Sequence, residues 1–193
     1  MHLQVRFVAL CCLRAALVVL LLLVNPLGSG ATTPALVTSL QLPVDLATEI
    51  AGVALQACSA QGAAVSVSLV DERGQLQVFL RGDGAAPHTA QLSEHKAYTA
   101  VSLAALQGLH TTSELVDAMH RSRSSIGALP LPADSITAIT PVPGGIVLRH
   151  DQLVAGLGVS GARQGEIDEQ CAFAAERWLD GHFAAVPDQG GSS

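Results

Sequence analysis

The chain has 193 residues, 49 % of them hydrophobic, 13 % charged and 3 % aromatic, which excludes a charge-rich disordered tail and a fibrous repeat and bounds it to a compact protein. Ten basic residues face sixteen acidic ones, for a formal charge of -6. That balance lacks the stripe of cations a sequence-independent nucleic-acid binder needs to offset phosphate, so nucleic acid is not an expected partner.

The first segment carries the three parts of a secretory signal. Arg6 and Arg14 precede an apolar run at 15–24, and Asn25-Pro26 and the small residues Gly28, Ser29, Gly30 and Ala31 follow. The run is too short for a spanning helix, which needs roughly 20 apolar residues. Residues 1–31 are therefore predicted to be a cleaved signal, with Ser29 and Ala31 ahead of a cut before Thr32, no stable membrane insertion afterwards and a secreted or periplasmic destination. Cleavage removes two of the ten basic residues and no acid, leaving eight against sixteen and a charge of -8. Two cysteines remain, Cys58 and Cys171. They read as two buried thiols, with a single bridge between helices as the alternative.

Residues 32–43 read as a flexible leader and 184–193, ending in GGSS, as a flexible tail, so the domain is predicted over 44–183. Leu46, Ile50, Val53, Ala54 and Ala57 recur at helical spacing and predict a helix over 44–61 that lays its apolar stripe on a sheet. Val65, Val67 and Leu69 alternate with Ser66 and Ser68, the pattern of a strand with one buried face. The turn Asp71-Glu72-Arg73-Gly74 returns the chain into a second strand at 75–80. An alanine-rich helix is predicted over 89–106, then a short one over 113–121 behind the capping box Thr111 and Glu114, and then a loop at 122–132. Three short strands follow at 135–140, 145–149 and 153–159, and a last helix beyond Gly161 carries Ile167, Cys171, Ala174, Ala175 and Trp178 and stops at Gly181. This order predicts one α+β domain with an antiparallel five-stranded sheet packed with helices.

Three phrases stand in order along the chain: VSVSLVDERGQL with RGDGA at 81–85, EHKAYTA at 94–100, and GLGVSGA with EIDEQCA between 156 and 172. Together they resemble the GlcG and HbpS-like family, also known as the haem-degrading domain and related to the C-terminal domain of PduO, over about 47–179. The resemblance implies a profilin- or PAS-like fold, assembly into homo-oligomers with octamers known, and haem or a related tetrapyrrole as ligand. Gly82 stands where the family commonly has methionine, and Gly144-Gly145-Ile146-Val147 lacks a proline common in its GG-x-P turn.

His88 and His95 are the candidate iron ligands, because they sit seven residues apart on one face of the long helix and neutral imidazole suits haem iron. Each also reads as a solvated surface residue. His110, His120 and His182 carry weaker signals. The resemblance adds Lys96 and Arg81. Lys96, the only lysine, is placed to meet a carboxylate, either a haem propionate or a small acid, or to pair internally with Asp83 or Asp71. Arg81 and Asp83 also read as ordering the turn before the helix. Gly158, Ser160 and Gly161 lie where backbone N–H groups at a strand-to-helix turn can hold an anion. Glu166 and Glu169 suit helix capping, or oxygen ligation of iron. Neither Ser160 nor Cys171 has the setting of a nucleophile.

The expected function is haem binding in sensing or scavenging, with a binding protein or enzyme for a small organic acid and an oligomeric partner of another periplasmic protein as alternatives. Phe79, Tyr98, Phe173, Trp178 and Phe183 are few for sandwiching a porphyrin, so a haem site should be shallow or lie between subunits.

Overall fold

A computed structural model describes residues 40–124 and 138–185. The predicted signal at 1–31, most of the leader and of the tail, and most of the predicted loop after the short helix lie outside the described residues. The described elements are α1 (Val44–Ser59), β1 (Ser66–Val70), β2 (Leu76–Arg81), α2 (His88–Thr99), α3 (Thr112–Ser124), β3 (Gly145–His150), β4 (Leu153–Ser160) and α4 (Gly165–Ala185). They make one α+β domain around an antiparallel sheet of four strands in the order β2-β1-β4-β3.

The fifth strand expected at 135–140 is absent from its described part, where residues 138–140 form a turn and irregular chain. Thr99 Oγ1 accepts the Thr140 backbone N–H at 2.7 Å, so this segment is tied to α2 and takes no place in the ladder. At the other end, α4 runs through Gly181 to Ala185. A Cβ at Gly181 would meet nothing within 4 Å. Its cost in a helix is small beside the packing of the last turn, where the Phe183 ring stacks on His150 at 3.8 Å.

One face of the sheet carries α1 and α4. Ile50 and Ala54 of α1, Val67 and Leu69 of β1, Ile146, Leu148 and Leu157 of the other strands, and Ala175 and Leu179 of α4 form its core. Cys58 and Cys171 close this layer as a disulfide joining α1 to α4. The expectation of two free thiols is thereby corrected. A sequence separation of 113 residues had argued against a local framework, but two helices side by side on one sheet bring the sulfurs together.

The other face carries α2, and here the alternation of β1 has a different meaning from the expected one. All five residues of β1 are buried. Ser66 Oγ and Thr89 Oγ1 are 2.8 Å apart, as are Ser68 Oγ and Ser93 Oγ. The two serines face a helix rather than solvent, and each buried hydroxyl has its partner, without which burial would be costly. Helix α2 reaches the sheet this closely because β4 is glycine-rich. A Cβ on Gly158 would stand 2.0 Å from the Ser93 carbonyl oxygen, and one on Gly156 2.3 Å from that of Ala97. Past Thr99 the helix widens into a π-helical turn, Ala100–Ala104. It directs Val101 towards Val70, and Ala100 and Ala104 towards Val147 and Leu115 of α3.

The disulfide closes a loop long enough that chain-entropy arguments assign it a large effect. Cys58→Ser is expected to lower the unfolding free energy by about 2–5 kcal/mol, read from guanidinium denaturation, and dithiothreitol should produce the same loss in the wild type and none in the variant. Equal stability of the two proteins under oxidising conditions would contradict a bridge in solution.

Candidate functional site

Where the start of α2 meets the turn between β4 and α4, a cleft of about 260 Å³ opens. His88, Leu92 and Lys96, one turn apart along α2, form one wall, and Val142, Pro143, Ser160, Gly161 and Asp168 contribute to the rest. Four of the sequence-predicted residues thus come together: His88, Lys96, Ser160 and Gly161. Gly161 adopts φ 142°, a backbone state that favours glycine, and a Cβ there would press on the Ala64 carbonyl at 2.4 Å.

The other predicted residues lie elsewhere. His95 is half-buried two turns further on, about 10 Å along the helix axis from His88. The shared face is real, but the cleft occupies only the first turns of α2. Gly158 does not line the cleft; its missing side chain is filled by the α2 backbone. Arg81 Nε and Nη2 both donate to the Ala85 carbonyl, at 3.0 and 2.5 Å, and so close the turn between β2 and α2.

Lys96 is buried, with its side chain 3 % exposed, as is that of Asp168. Its Nζ donates to Asp168 Oδ2 at 2.9 Å and to the Val159 carbonyl at 2.9 Å. The internal reading of this lysine holds, but its partner is Asp168, not the expected Asp83 or Asp71. Asp168 stands in the first turn of α4, where a carboxylate is favoured by the helix dipole. Its Oδ1 also accepts the Ala162 N–H at 2.9 Å. One buried ion pair therefore joins α2, the end of β4 and the start of α4, and forms the floor of the cleft.

The acids of that first turn divide by direction. Glu169 is buried: its Oε2 accepts the Gly144 N–H at 3.2 Å and its Oε1 the Ser113 hydroxyl at 2.5 Å. Glu166 is exposed. The two do not converge, so the capping reading stands over joint ligation of iron. Among the described residues no group of three or more His, Cys, Asp or Glu side chains is placed to hold a metal ion.

The best-connected histidine is one with a weak sequence signal. His110 Nε2 lies 2.7 Å from Glu176 Oε1, and its ring meets Phe173 edge-on at 5.5 Å. The hydrogen bond to Glu176 raises the imidazole pKa above its usual value near 6.5; burial opposes it, and the charges of Glu176 and Glu114 reinforce it. The partners are 66 residues apart in sequence, so no local pattern announces them.

Comparison with known proteins follows the geometry. The sequence profile of a family described as haem degrading protein HbpS-like matches residues 42–177. None of the curated proteins compared matches the chain. Among solved structures, HbpS superposes with a TM-score of 0.64 at 34 % identity, over 78 % of this chain and 98 % of that one. A PduOC haem complex gives 0.59 at 25 %, over 72 % and 94 %. The Klebsiella pneumoniae protein ORFY gives 0.62 at 24 %, over 79 % and 99 %, a likeness of fold.

Breaking the buried pair leaves one charge without a partner. Lys96→Met or Asp168→Asn is expected to cost about 3–5 kcal/mol, with Lys96→Met/Asp168→Leu recovering much of it, measured by urea denaturation; single variants as stable as the wild type would refute the pair. For His110, a folded-state pKa above the unfolded one means the stabilisation is complete below the unfolded value and is lost as pH rises through the raised one. Stability measured between pH 6 and 8 should therefore fall with rising pH in the wild type and fall less in Glu176→Gln, whereas identical slopes would exclude the coupling.

Proposed function

The chain belongs to the HbpS-like family, and on that premise we propose that it binds haem in the cleft beside α2, as a sensor or scavenger acting outside the cytoplasm. The observation that carries this reading is the exposed imidazole of His88 on a cleft whose walls include Leu92, Val142 and Pro143. Haem brings an iron whose axial position a neutral imidazole can fill. The apolar side chains would shield the ring edge from water, and Ser160 offers a hydroxyl.

The cleft is smaller than the roughly 300–1,000 Å³ of pockets that enclose a drug-sized ligand. Its size suits the edge of a tetrapyrrole and leaves the rest to a second surface, which fits a homo-oligomer with the ligand at or near a subunit contact. Propionates would not be met by Lys96, whose ammonium is engaged by Asp168. The likeness to HbpS and to a PduOC haem complex supports the ligand class. Two features support secretion: the signal-like segment at 1–31, and the Cys58–Cys171 disulfide, a bond that persists in oxidising compartments.

Hemin titrated into the purified protein should give a saturable Soret band. His88→Ala should weaken binding and move the band, and His95→Ala should leave both unchanged. A wild type without saturable absorbance would sink the haem reading, and an effect of His95→Ala alone would move the iron away from this cleft.

A further inference from the structure

On the β3 edge of the sheet, a separate cavity of about 220 Å³ is walled by Gly108, Leu109, His110, Val147, Arg149 and Glu176. The chain leading into α3 shapes it. Val147 N–H donates to the His110 carbonyl at 2.8 Å, and Thr111 forms a bridge with Ile146. This pairing brings the His110 side chain to the strand edge, where it meets Glu176 from α4. Glu114 Oε2 accepts the His110 backbone N–H at 2.7 Å and so fixes the same residue from α3.

The charges in the wall do not cancel. Imidazolium and the Glu176 carboxylate neutralise each other across 2.7 Å. Arg149, exposed near the end of β3, makes no ion pair with any described residue. One guanidinium is left over, beside the apolar side chains of Leu109 and Val147. A guanidinium presents a planar fork of donors that matches the two oxygens of a carboxylate. The nearby Glu176 disfavours a second negative charge on the ligand, which selects against phosphate. A cavity of this size limits the ligand to a few carbon atoms.

We propose that this cavity is a binding site for a small monocarboxylate, held through its carboxylate by Arg149 with its short hydrocarbon body against Leu109 and Val147. The His110–Glu176 pair acts as a positioning element that holds the wall. None of these residues lines the cleft at His88, so the site stands or falls independently of haem binding.

The test is an amide NMR titration of the protein with butyrate, with butyramide as the uncharged match in size and inorganic phosphate as the doubly charged anion. Butyrate should shift the amides of Gly108, Leu109 and Val147 saturably in the millimolar range, and Arg149→Gln should weaken this by about tenfold or more, as loss of a charge-assisted hydrogen bond implies. Arg149 is exposed, so the variant should keep the wild-type melting temperature, and Arg149→Lys should bind with intermediate strength because it keeps the charge and loses the fork. The proposal is overturned if butyramide or phosphate shifts the same amides at the same concentration, if Arg149→Gln titrates like the wild type, if shifts appear only around His88 and Ser160, or if none saturates.

Discussion

Helix α2 lies against the sheet at backbone distance, and most of the domain's arrangement depends on that contact. It exists because Gly156 and Gly158 of β4, and Gly145 of β3, offer no Cβ to the carbonyls of Ala97, Ser93 and Lys96. Approach this close leaves no room for large side chains between the layers. The contact positions are accordingly Thr89, Ser93, Ala97 and Ala100, and the hydroxyls among them find Ser66 and Ser68. Hydroxyl pairs are directional where aliphatic contacts are not. The sliding of α2 along the strands is therefore opposed by the loss of two buried hydrogen bonds.

The same contact places Lys96 over the end of β4, where its side chain reaches the Val159 carbonyl and Asp168. A lysine so deeply buried requires an anion, and the start of α4 supplies one whose charge the helix dipole already favours. The ion pair thus connects the α2 face of the sheet to the α4 face around its end. Its partner on the far side is the disulfide, which ties α4 to α1 from residue 171, three positions beyond Asp168. Helix α4 is fixed by charge at its first turn and by a covalent bond at its second.

Much of the fold was legible in local pattern. The period of 3.6 in α1 and α4, the period of two in β1 and the capping box at Thr111 and Glu114 are signals carried by neighbours in sequence, and Thr111 Oγ1 does accept the Glu114 N–H at 3.0 Å. What local pattern cannot supply is the second covering of a strand. Ser66 and Ser68 look solvent-facing because a hydroxyl partnered by a helix and one partnered by water have the same spelling. The same holds for 135–140, whose β-branched residues Ile136, Thr137, Ile139 and Thr140 resemble a strand, while Thr140 is engaged by Thr99. The glycines of β4 read as an anion loop for a related reason: a missing side chain serves a ligand or a helix equally well, and only the tertiary contact distinguishes them. Within the site, His88, Ser160 and Gly161 were found through one-dimensional cues. Asp168 as the partner of Lys96, and Glu176 as the partner of His110, were not, since each pair spans more than sixty residues.

These two long-range pairs also explain how one small domain can keep two ligand environments apart. Asp168, Glu169 and Glu176 lie along α4, with the first two in or next to its opening turn and the third two turns later. Asp168 faces the cleft floor, Glu169 holds the Gly144 and Ser113 segment between, and Glu176 meets His110 at the β3 edge. Each carboxylate is satisfied by a different chain segment, so a change of charge in one environment is not handed directly to the other. At the cleft, the lysine is neutralised and an exposed imidazole is left for chemistry. At the β3 edge, the imidazole is neutralised and an arginine is left. The residual group differs in kind, a soft metal-binding nitrogen in one place and a hard hydrogen-bonding cation in the other, and that difference separates the ligand classes the two places can select.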